Sequence, residues 1–232
     1  MGDAAAMAED VRLTLPPLLR HVATPPGADP LRAAVEGGED AGALFWSPEP
    51  RLLRLAVTLE AEGSPAEAAR AFFAGMTALG DALAFHCPPE RQVAFGWPDA
   101  VHFNAGLLGG CRLQRDPAGG GRMVFAVSLH LDRRLAEPGR FPGSTSLAEE
   151  GFDPPAAIVE SFGRYLCLWA DRLAHEGFGP VARAWLDRLA DGGPGARLSP
   201  EGDLVAPGAE PRPLAAGLAE AAWAGPDGEP RL

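Results

Sequence analysis

The chain contains no lysine, because all 20 of its basic residues are arginine. Mechanisms that need a compact ammonium on a flexible stem, as a proton donor, a Schiff base or a phosphate partner, are therefore excluded within this chain. The arginine bias, together with abundant alanine, glycine and proline, is typical of a GC-rich genome. Its chemical consequence holds whatever its origin.

Cysteines and long apolar runs are also scarce. Cys87, Cys111 and Cys167 stand far apart without a CxxC pair, so we expect neither disulfides nor a zinc site, and a reducing, cytoplasmic compartment. Proline, glycine or charge breaks every long apolar stretch, so we expect no membrane-spanning segment. The first thirty residues lack a basic region followed by an apolar one, so they are not expected to be a secretory signal. The net charge of −11 argues against nucleic-acid binding.

The length of 232 residues is enough for one good-sized domain with a small appendage. We predict a main domain over residues 1–190, opened by an extended segment rich in proline and glycine over residues 1–40. The composition changes after Asp191, since the last 42 residues contain eight glycines and seven prolines. This appendage, residues 191–232, is too short to hold a core alone, so we expect it to lie against the main domain or to be partly disordered.

Periodicity predicts strands and helices in the main domain. Alternating apolar residues favour strands over residues 43–47, 51–60, 92–95, 100–103, 107–114 and 122–131. A helix begins at Ser64, which forms a capping box with Glu67. Further helices begin at Asp153 and near Gly179, and the last of them is expected to run to about Ala190. Short turns at Asn104-Ala105-Gly106 and over residues 116–121 join the last strands into an antiparallel meander. The fold class predicted is α+β, with a mixed, largely antiparallel sheet backed by helices.

The most specific pattern is a tryptophan-proline motif followed by a strand, a turn and a second strand with paired glycines. The sequence is Gly96-Trp97-Pro98-Asp99-Ala100, and after the turn Leu108-Gly109-Gly110-Cys111-Arg112. This pattern resembles the catalytic domain of the biotin and lipoate protein ligase superfamily. In that family Trp-Pro-Asn-Asp opens a strand-turn-strand that ends in Lys-x-Ala/Gly-Gly-Ile-Leu.

The resemblance continues in register over most of residues 42–190. Trp46-Ser47-Pro48 is similar to the family's Trp-x-Ser-Pro, residues 126–130 fall at its Gly-x-Gly-x-Asn, and residues 144–147 resemble its Thr-Ser-Leu. Residues 178–185 resemble the family's last helix. The chain looks like a bacterial, ligase-like branch with a C-terminal domain of unknown function, here shortened. The resemblance implies the fold of biotin protein ligases and class II synthetases, with a cleft over one sheet face.

The family reaction condenses a carboxylate with ATP and passes the acyl group to a carrier protein, which requires positive groups at fixed positions. Here the family's catalytic lysine falls at Leu107, its asparagine at Asp99 and its adenine-contacting asparagine at His130. Its Gly/Arg-rich loop falls at residues 37–42, where two acids replace arginines. Each like-charge pair with a phosphate costs about 3–4 kcal/mol at ~4–6 Å. The resemblance therefore implies that standard ligation is lost and that no catalytic residue is retained.

The resemblance also suggests a set of ligand-binding residues in the cleft: Trp46, Trp97, Asp99, Gly109, Gly110, Arg112 and His130. Arg112 can grip a carboxylate with two hydrogen bonds, and strand alternation places it on one face with Gly110 and Leu108, opposite Cys111. Structural alternatives are a solvated arginine, a satisfied histidine and a β-bulge at the paired glycines. Cys111 is expected to fill a buried strand face. His102 is a companion for His130, but no carboxylate stands at metal-ligand spacing, so no metal site is predicted.

Three functions remain open at this point. The leading hypothesis is a ligase-like protein that binds a small acyl, biotin-like or nucleotide-like ligand, or a carrier protein, without ligation. The alternatives are an acyl ligase or acyltransferase with an altered active site, and a structural or regulatory protein with a vestigial cleft. ATP with biotin, lipoate or octanoate is implied only if the family activity is retained, and a homodimer through sheet edges is implied by resemblance. We expect a pocket beside Trp97 and Gly110 that Leu107 makes narrower than a ligase needs.

Overall fold

A seven-stranded sheet forms the centre of the molecule. A computed structural model describes residues 12–25, 27–60, 64–89, 91–115, 121–133 and 141–232. The strands are β1 Arg20–Val22, β2 Ala43–Trp46, β3 Leu52–Glu60, β4 Val93–Gly96, β5 Ala100–Phe103, β6 Gly106–Arg115 and β7 Arg122–His130. Their order is β1-β2-β3-β7-β6-β5-β4. Only β1 runs parallel to its neighbour, so the predicted α+β class with a mixed, largely antiparallel sheet is confirmed.

Helices cover the sheet and connect its parts. They are α1 Pro30–Glu36, α2 Pro65–His86, α3 Leu147–Glu150, α4 Pro155–Glu176, α5 Phe178–Leu186 and α6 Leu214–Glu220. The predicted capping box is confirmed, since Ser64 Oγ accepts from the Glu67 backbone N–H (3.2 Å) and Glu67 Oε2 accepts from the Ser64 N–H (3.0 Å). α2 packs against α4 and α5 on one sheet face. Among the described residues no helix is long and apolar enough to cross a membrane.

The described part of residues 1–40 contains regular structure that was not predicted from the sequence. β1 pairs with β2 through three residues, and Asp29 is the N-cap of α1, where its side chain accepts a hydrogen bond from the Leu31 N–H (3.0 Å). The expectation of an extended segment is therefore wrong for this part. The Asp29-Pro30 pair is itself a helix-start signal, with a capping carboxylate followed by proline at the first helical position.

The last helix of the main domain also differs from the prediction, because α5 ends at Leu186 and not near Ala190. The residues that follow pair with the edge of the sheet. The Phe95 N–H donates to the Arg188 carbonyl (2.8 Å), and the Ala190 N–H donates to the Phe95 carbonyl (2.9 Å). Backbone pairing with β4 thus replaces the last helical turn.

The β5–β6 hairpin carries a tight turn and a bulge. Asn104 and Ala105 both have positive φ (50° and 65°), as in a type I′ two-residue turn. His102 pairs with Leu107 and Val101 with Gly109, so Leu108 is an extra residue on β6. Leu108 consequently joins the helix-side core with Cys111, and our expectation that it shares a face with Arg112 is wrong. Residues 116–120 of the next predicted loop lie outside the described residues.

The two sheet faces are covered differently. The helix face holds the main core, which includes the α2 residues Phe72, Met76, Leu79 and Leu83, all fully buried. On the other face, α1 packs through Ala34 on Phe45, Ala56, Val124 and Ala126. Residues after Asp191 form the short strand pair β8 (Arg197–Leu198) and β9 (Leu204–Val205), then α6. The chain ends in a turn-rich stretch, residues 221–231, which we call the C-terminal loop.

Candidate ligand site

A strip of small residues crosses the sheet on the face opposite the main core. Gly110 on β6 pairs with Ser128 on β7, which pairs with Arg54 on β3. One register step further, Arg112 pairs with Ala126. Because alternate residues of a strand share a face, these side chains look into the same space. Small side chains leave room above the strands for another group, and the two arginines supply the positive charge of the strip.

The two arginines of this strip are held differently. Arg54 makes two hydrogen bonds to Glu49, Nε to Oε1 (2.8 Å) and Nη2 to Oε2 (2.7 Å), and this pairing raises the pKa of Arg54. Arg112 instead lies over the indole ring of Trp223, with its Cζ 5.4 Å from the ring centroid. Its Nε is buried without a hydrogen-bond partner. Arg112 is therefore the arginine whose donors remain available to a ligand.

Trp223 of the C-terminal loop fills the space above Gly110. Its side chain is 3% exposed, and a Cβ atom at Gly110 would lie 2.4 Å from its ring atoms Cδ2 and Cε2. The absence of a side chain at Gly110 is what allows the ring to rest on the strand. Trp223 thus takes up the space beside Gly110, where a pocket was expected.

A cavity of about 80 Å³ remains beside this ring. Its lining includes Asp29, Arg54, Arg112, Ser128, Trp223 and Glu229. Two guanidinium groups and at least two carboxylates therefore face a space that holds only a few water-sized molecules. A biotin- or nucleotide-sized ligand does not fit unless the C-terminal loop moves.

Asp99 lies beneath the same ring and is 2% exposed. Burial raises the pKa of its carboxyl to about 7 from 3.8, although the nearby Trp223 N–H, the backbone and the charge of Arg112 lower it. No hydrogen bond joins Asp99 Oδ2 to the indole, since that oxygen and Trp223 Nε1 are both buried without a partner. Near neutral pH the group is thus divided between its acid and carboxylate forms.

The glycine pair and His130 are placed next to this site. Gly109 has φ +152°, and a Cβ there would lie 2.1 Å from the Ser128 carbonyl oxygen, so the neighbouring strand excludes a side chain. His130 is 5% exposed, and its Nε2–H donates to the Arg231 carbonyl of the C-terminal loop (3.2 Å). Burial lowers the pKa of His130. The predicted companion His102 lies elsewhere, beside Gly96 and within the field of Asp191.

The two predicted tryptophans lie apart from the cavity. Trp46 is 2% exposed in the main core, where its carbonyl accepts from His21 Nε2–H (2.9 Å). Trp97 is half-buried against Trp185, with ring centroids 5.8 Å apart, and the Arg212 guanidinium covers it at 5.5 Å. α6 packs on Trp97-Pro98 through Gly217. Neither tryptophan lines the cavity beside Arg112.

The positions of the altered family residues are also defined. The Leu107 N–H donates to the Gly143 carbonyl (2.9 Å), and its carbonyl accepts from the Thr145 N–H (2.9 Å), so the backbone register at this position is fixed. Glu39 pairs with Arg20 (2.7 Å), and its carbonyl accepts from Arg122 (3.0 Å). Residues 37–42 do not line the cavity. Cys111 is fully buried, and burial raises the pKa of its thiol.

Several residues of this site were not predicted from the sequence. Arg54 interrupts an apolar strand on its outward-facing side, and Trp223 is an isolated aromatic in an Ala-Ala-Trp-Ala stretch, which are the signals that could have pointed to them. A larger groove, about 730 Å³, lies on the helix side beside Ala74, Leu166 and Leu173. Ala41 and Gly42 of the family's loop line this groove, but none of the predicted ligand-binding residues does, so the site is assigned to the strip. In the part of the chain that the structure describes, no group of three His, Cys, Asp or Glu could hold a metal ion.

The fold and this motif define a ligase-type catalytic domain, and sequence comparison identifies the family. The model of the biotin/lipoate A/B protein ligase family matches residues 15–187. The chain therefore belongs to that family. A biotin–[acetyl-CoA-carboxylase] ligase of Paracoccus denitrificans is 30% identical over 129 residues, 53% of this chain and 54% of the relative. The chain thus matches about half the length of that enzyme.

Solved structures agree on the fold. A biotin protein ligase-like protein of unknown function from Silicibacter sp. TM1040 is 25% identical, with a TM-score of 0.75 over 89% of this chain and 99% of that one. The biotin protein ligase of Aquifex aeolicus has a TM-score of 0.62 at 12% identity, over 80% of this chain and 87% of that one. Its complex with biotin and ATP has a TM-score of 0.57 at 12% identity, over 80% and 88%. The Aquifex likeness shows the fold alone.

Proposed function

We propose that this protein binds a carboxylate-bearing, acyl or biotin-like ligand, or the carrier protein that presents one, without adenylate-forming ligation. In this proposal residues 1–190 are a homologue of the ligase catalytic domain, and residues 191–232 are a reduced C-terminal domain. No catalytic residue of the family is assigned to the chain, and its place of action is the cytoplasm.

The observation that carries the proposal is the state of position 107. The family's lysine corresponds to Leu107, whose backbone is hydrogen-bonded on both sides to residues 143–145. A shift of the strand cannot bring another cation to this place, and the chain contains no lysine that could substitute. Loss of one group that stabilises developing charge typically costs about 3–4 kcal/mol of transition-state stabilisation.

Two further positions support the same conclusion. Asp99 puts an acid where the family motif has an amide, and Glu39 and Asp40 stand in the loop that carries arginines in the family. A phosphate near these acids would meet like charge. The residues present therefore do not fit an acyl-adenylate, and no step through ATP is assigned.

The strip retains groups that suit a carboxylate. Arg112 and Arg54 flank Ser128 on one face of the sheet, and Arg112 offers donors in a fixed planar arrangement that matches a carboxylate. One hydrogen bond to a charged group contributes about 1.5–3 kcal/mol. These groups support the binding of a carboxylate and do not require that the protein catalyse a reaction.

A second candidate function is a structural or regulatory role with a vestigial cleft. The observation that favours it is Trp223, whose ring fills the space directly above Gly110. If the loop never leaves this place, no ligand can enter. The two candidates therefore differ in whether the cleft binds anything at all.

A ligand panel separates these candidates. Thermal-shift screening followed by calorimetry should use biotin, lipoate, octanoate, ATP and the corresponding adenylates. We expect binding of at least one carboxylate and a loss of about tenfold or more in its affinity in Arg112→Ala, the fold-change that follows from one charged hydrogen bond. Arg183→Ala removes an exposed arginine on α5 and is the matched control, expected to bind as the wild type does.

The other outcomes have defined meanings. No binding across the panel would favour the structural role. Transfer of label from radiolabelled ATP and biotin or lipoate to biotinyl or lipoyl carrier domains, abolished in Arg112→Ala, would replace the proposal by an altered ligase. If Arg112→Ala and wild type bound the ligand with equal affinity, the ligand would have to bind somewhere other than the strip.

A further inference from the structure

The C-terminal loop separates two cavities that share Arg112. The first is the cavity of about 80 Å³ beside Trp223, and the second, about 370 Å³, lies between β6, the end of α6 and Gly225. Arg112 lines both of them. Withdrawal of Trp223 would join them into one cleft over Gly110, of the size that small-molecule sites usually have.

Several polar groups between the C-terminal loop and the sheet lack hydrogen-bond partners. Within the described residues, six buried side-chain N or O atoms have no hydrogen-bond partner, and four of them meet here: Asp99 Oδ2, Arg112 Nε, Ser128 Oγ and Trp223 Nε1. Buried polar groups normally find partners. The closed arrangement is well packed but leaves donors and an acceptor that an entering ligand could satisfy.

The loop is attached to the sheet by few polar contacts. Apart from the Ala221 N–H, which caps α6, its described backbone hydrogen bonds are internal, for example from the Arg231 N–H to the Trp223 carbonyl (2.9 Å) and from the Gly225 N–H to the Glu229 carbonyl (2.8 Å). Of the contacts described, those to the strands and their flanks are the hydrogen bond from His130 to the Arg231 carbonyl, the stacking of Arg112 on Trp223, and a 3.8 Å ion pair between Arg51 and Glu229. The loop can therefore leave while keeping its own turns.

The start of the loop is suited to act as a hinge. Ala221, which caps α6, has φ +41° and ψ +54°, the left-handed conformation that alanine rarely adopts. α6 itself is fixed, because Gly217 packs against Pro98 and Leu214 is buried against Gly202. The strained residue thus joins a fixed helix to a weakly attached loop.

We propose that the C-terminal loop is an autoinhibitory plug, which opens locally at Ala221 and must withdraw Trp223 from Gly110 before the cleft can take a ligand. The autoinhibitory role rests on the proposed ligand-binding function, because a plug inhibits only if the cleft binds a ligand. The opening itself can be measured without any ligand.

Hydrogen exchange of two indole N–H groups tests the opening in the full chain. Trp223 Nε1–H and Trp185 Nε1–H are both buried and without a hydrogen-bond partner, and Trp185 lies in the main core at 0% exposed. If the plug opens locally, Trp223 should exchange at least about 100-fold faster than Trp185, which needs far more extensive unfolding. The signals are assigned in ¹⁵N spectra with Trp223→Phe and Trp185→Phe. Equal exchange rates would overturn the proposal.

Gly110→Ala gives a second test from the sheet side. A methyl group there would lie 2.4 Å from the Trp223 ring, so the variant should displace the plug and speed exchange of Trp223 by about tenfold or more, while Trp185 stays unchanged. Gly143→Ala is the matched control, since a Cβ at that position meets no atom within 4 Å. Unchanged exchange of Trp223 in Gly110→Ala would contradict the described packing and with it the plug.

The ligand arm compares Trp223→Ala with wild type, using octanoate, lipoate and biotin in calorimetry. Removal of the Trp223 ring should lower the dissociation constant of the best probe by about tenfold or more, because the ring no longer competes with the ligand for the space above Gly110. Equal affinity in both proteins would overturn autoinhibition while leaving the ligand-binding function intact. No binding to either protein, with fast exchange of Trp223, would overturn the ligand-binding function and support a loop that opens.

Discussion

At the scale of single residues, the buried Asp99 carboxyl links the cleft to the stability of the fold. Burial raises its pKa to about 7 from 3.8, while the Trp223 N–H and the charge of Arg112 lower it. The folded state therefore keeps a proton that the unfolded chain releases near pH 3.8. The corresponding contribution to the free energy of unfolding is fully present below that pH and is lost as the pH rises through about 7.

Asp99→Asn should stabilise the protein increasingly as the pH rises. The amide cannot ionise, so its advantage over wild type should grow as the pH rises from about 4 to about 7 and reach at most about 4 kcal/mol, since one pKa unit corresponds to about 1.4 kcal/mol. Urea unfolding followed by circular dichroism measures this difference. Asp187→Asn removes one negative charge at an exposed position and accounts for the effect of net charge. An equal gain at both pH values would contradict a carboxyl that titrates in the folded state.

At the scale of elements, a chain of polar groups joins α2 to α4. His86 Nδ1–H donates to Asp153 Oδ2 (2.8 Å), and His86 Nε2 lies 2.7 Å from Ser161 Oγ. Arg164 Nη2 also donates to Ser161 Oγ (2.7 Å). The Ser-His-Asp order resembles that of a hydrolase, but Ser161 is 1% exposed inside α4, so a substrate cannot reach it. The chain of bonds instead connects the end of one helix to the start of another.

His86→Ala should therefore destabilise the fold by about 1–3 kcal/mol, because it removes the bond to Asp153 and the acceptor of the buried Ser161 O–H, which keeps only its bond from Arg164. The free energy of urea unfolding at neutral pH measures the loss. His175→Ala, an exposed histidine in the last turn of α4, is the control and should change stability by less than about 0.5 kcal/mol. Equal effects of the two substitutions would mean that the α2–α4 link contributes nothing beyond an ordinary surface contact.

The elements that the sequence predicted well are those with strong local signals. The Ser64 capping box starts α2 as expected, and the meander from β4 to β7 follows the alternation of its apolar residues. β1 was not predicted because a strand of three residues, Arg20–Val22, is too short to show an alternation of apolar and polar residues. Leu108 was misplaced because a bulge breaks strand alternation, and Trp223 could not be assigned to Gly110 because their contact spans more than a hundred residues. Predictions made from local pattern fail where long-range packing decides.

At the scale of the whole molecule, the two ends of the chain close the same sheet face. α1 covers β2, β3 and the start of β7, and the C-terminal loop covers β6 near Gly110. The sheet edges are also unequal, because β4 is paired at Phe95 with Leu189 while β1 is three residues long.

These features predict that one substitution will not restore ligation. Leu107→Lys returns the family's ammonium to β6, but Trp223 still occupies the space above Gly110 and residues 37–42 still carry two acids. Each like-charge contact with a phosphate there costs about 3–4 kcal/mol. We therefore expect pyrophosphate exchange with biotin or lipoate to stay at background in wild type and in Leu107→Lys, with an active biotin protein ligase assayed in parallel. Exchange above background in Leu107→Lys alone would mean that the lysine is the only difference that matters, and that the plug and the acidic loop do not oppose the reaction.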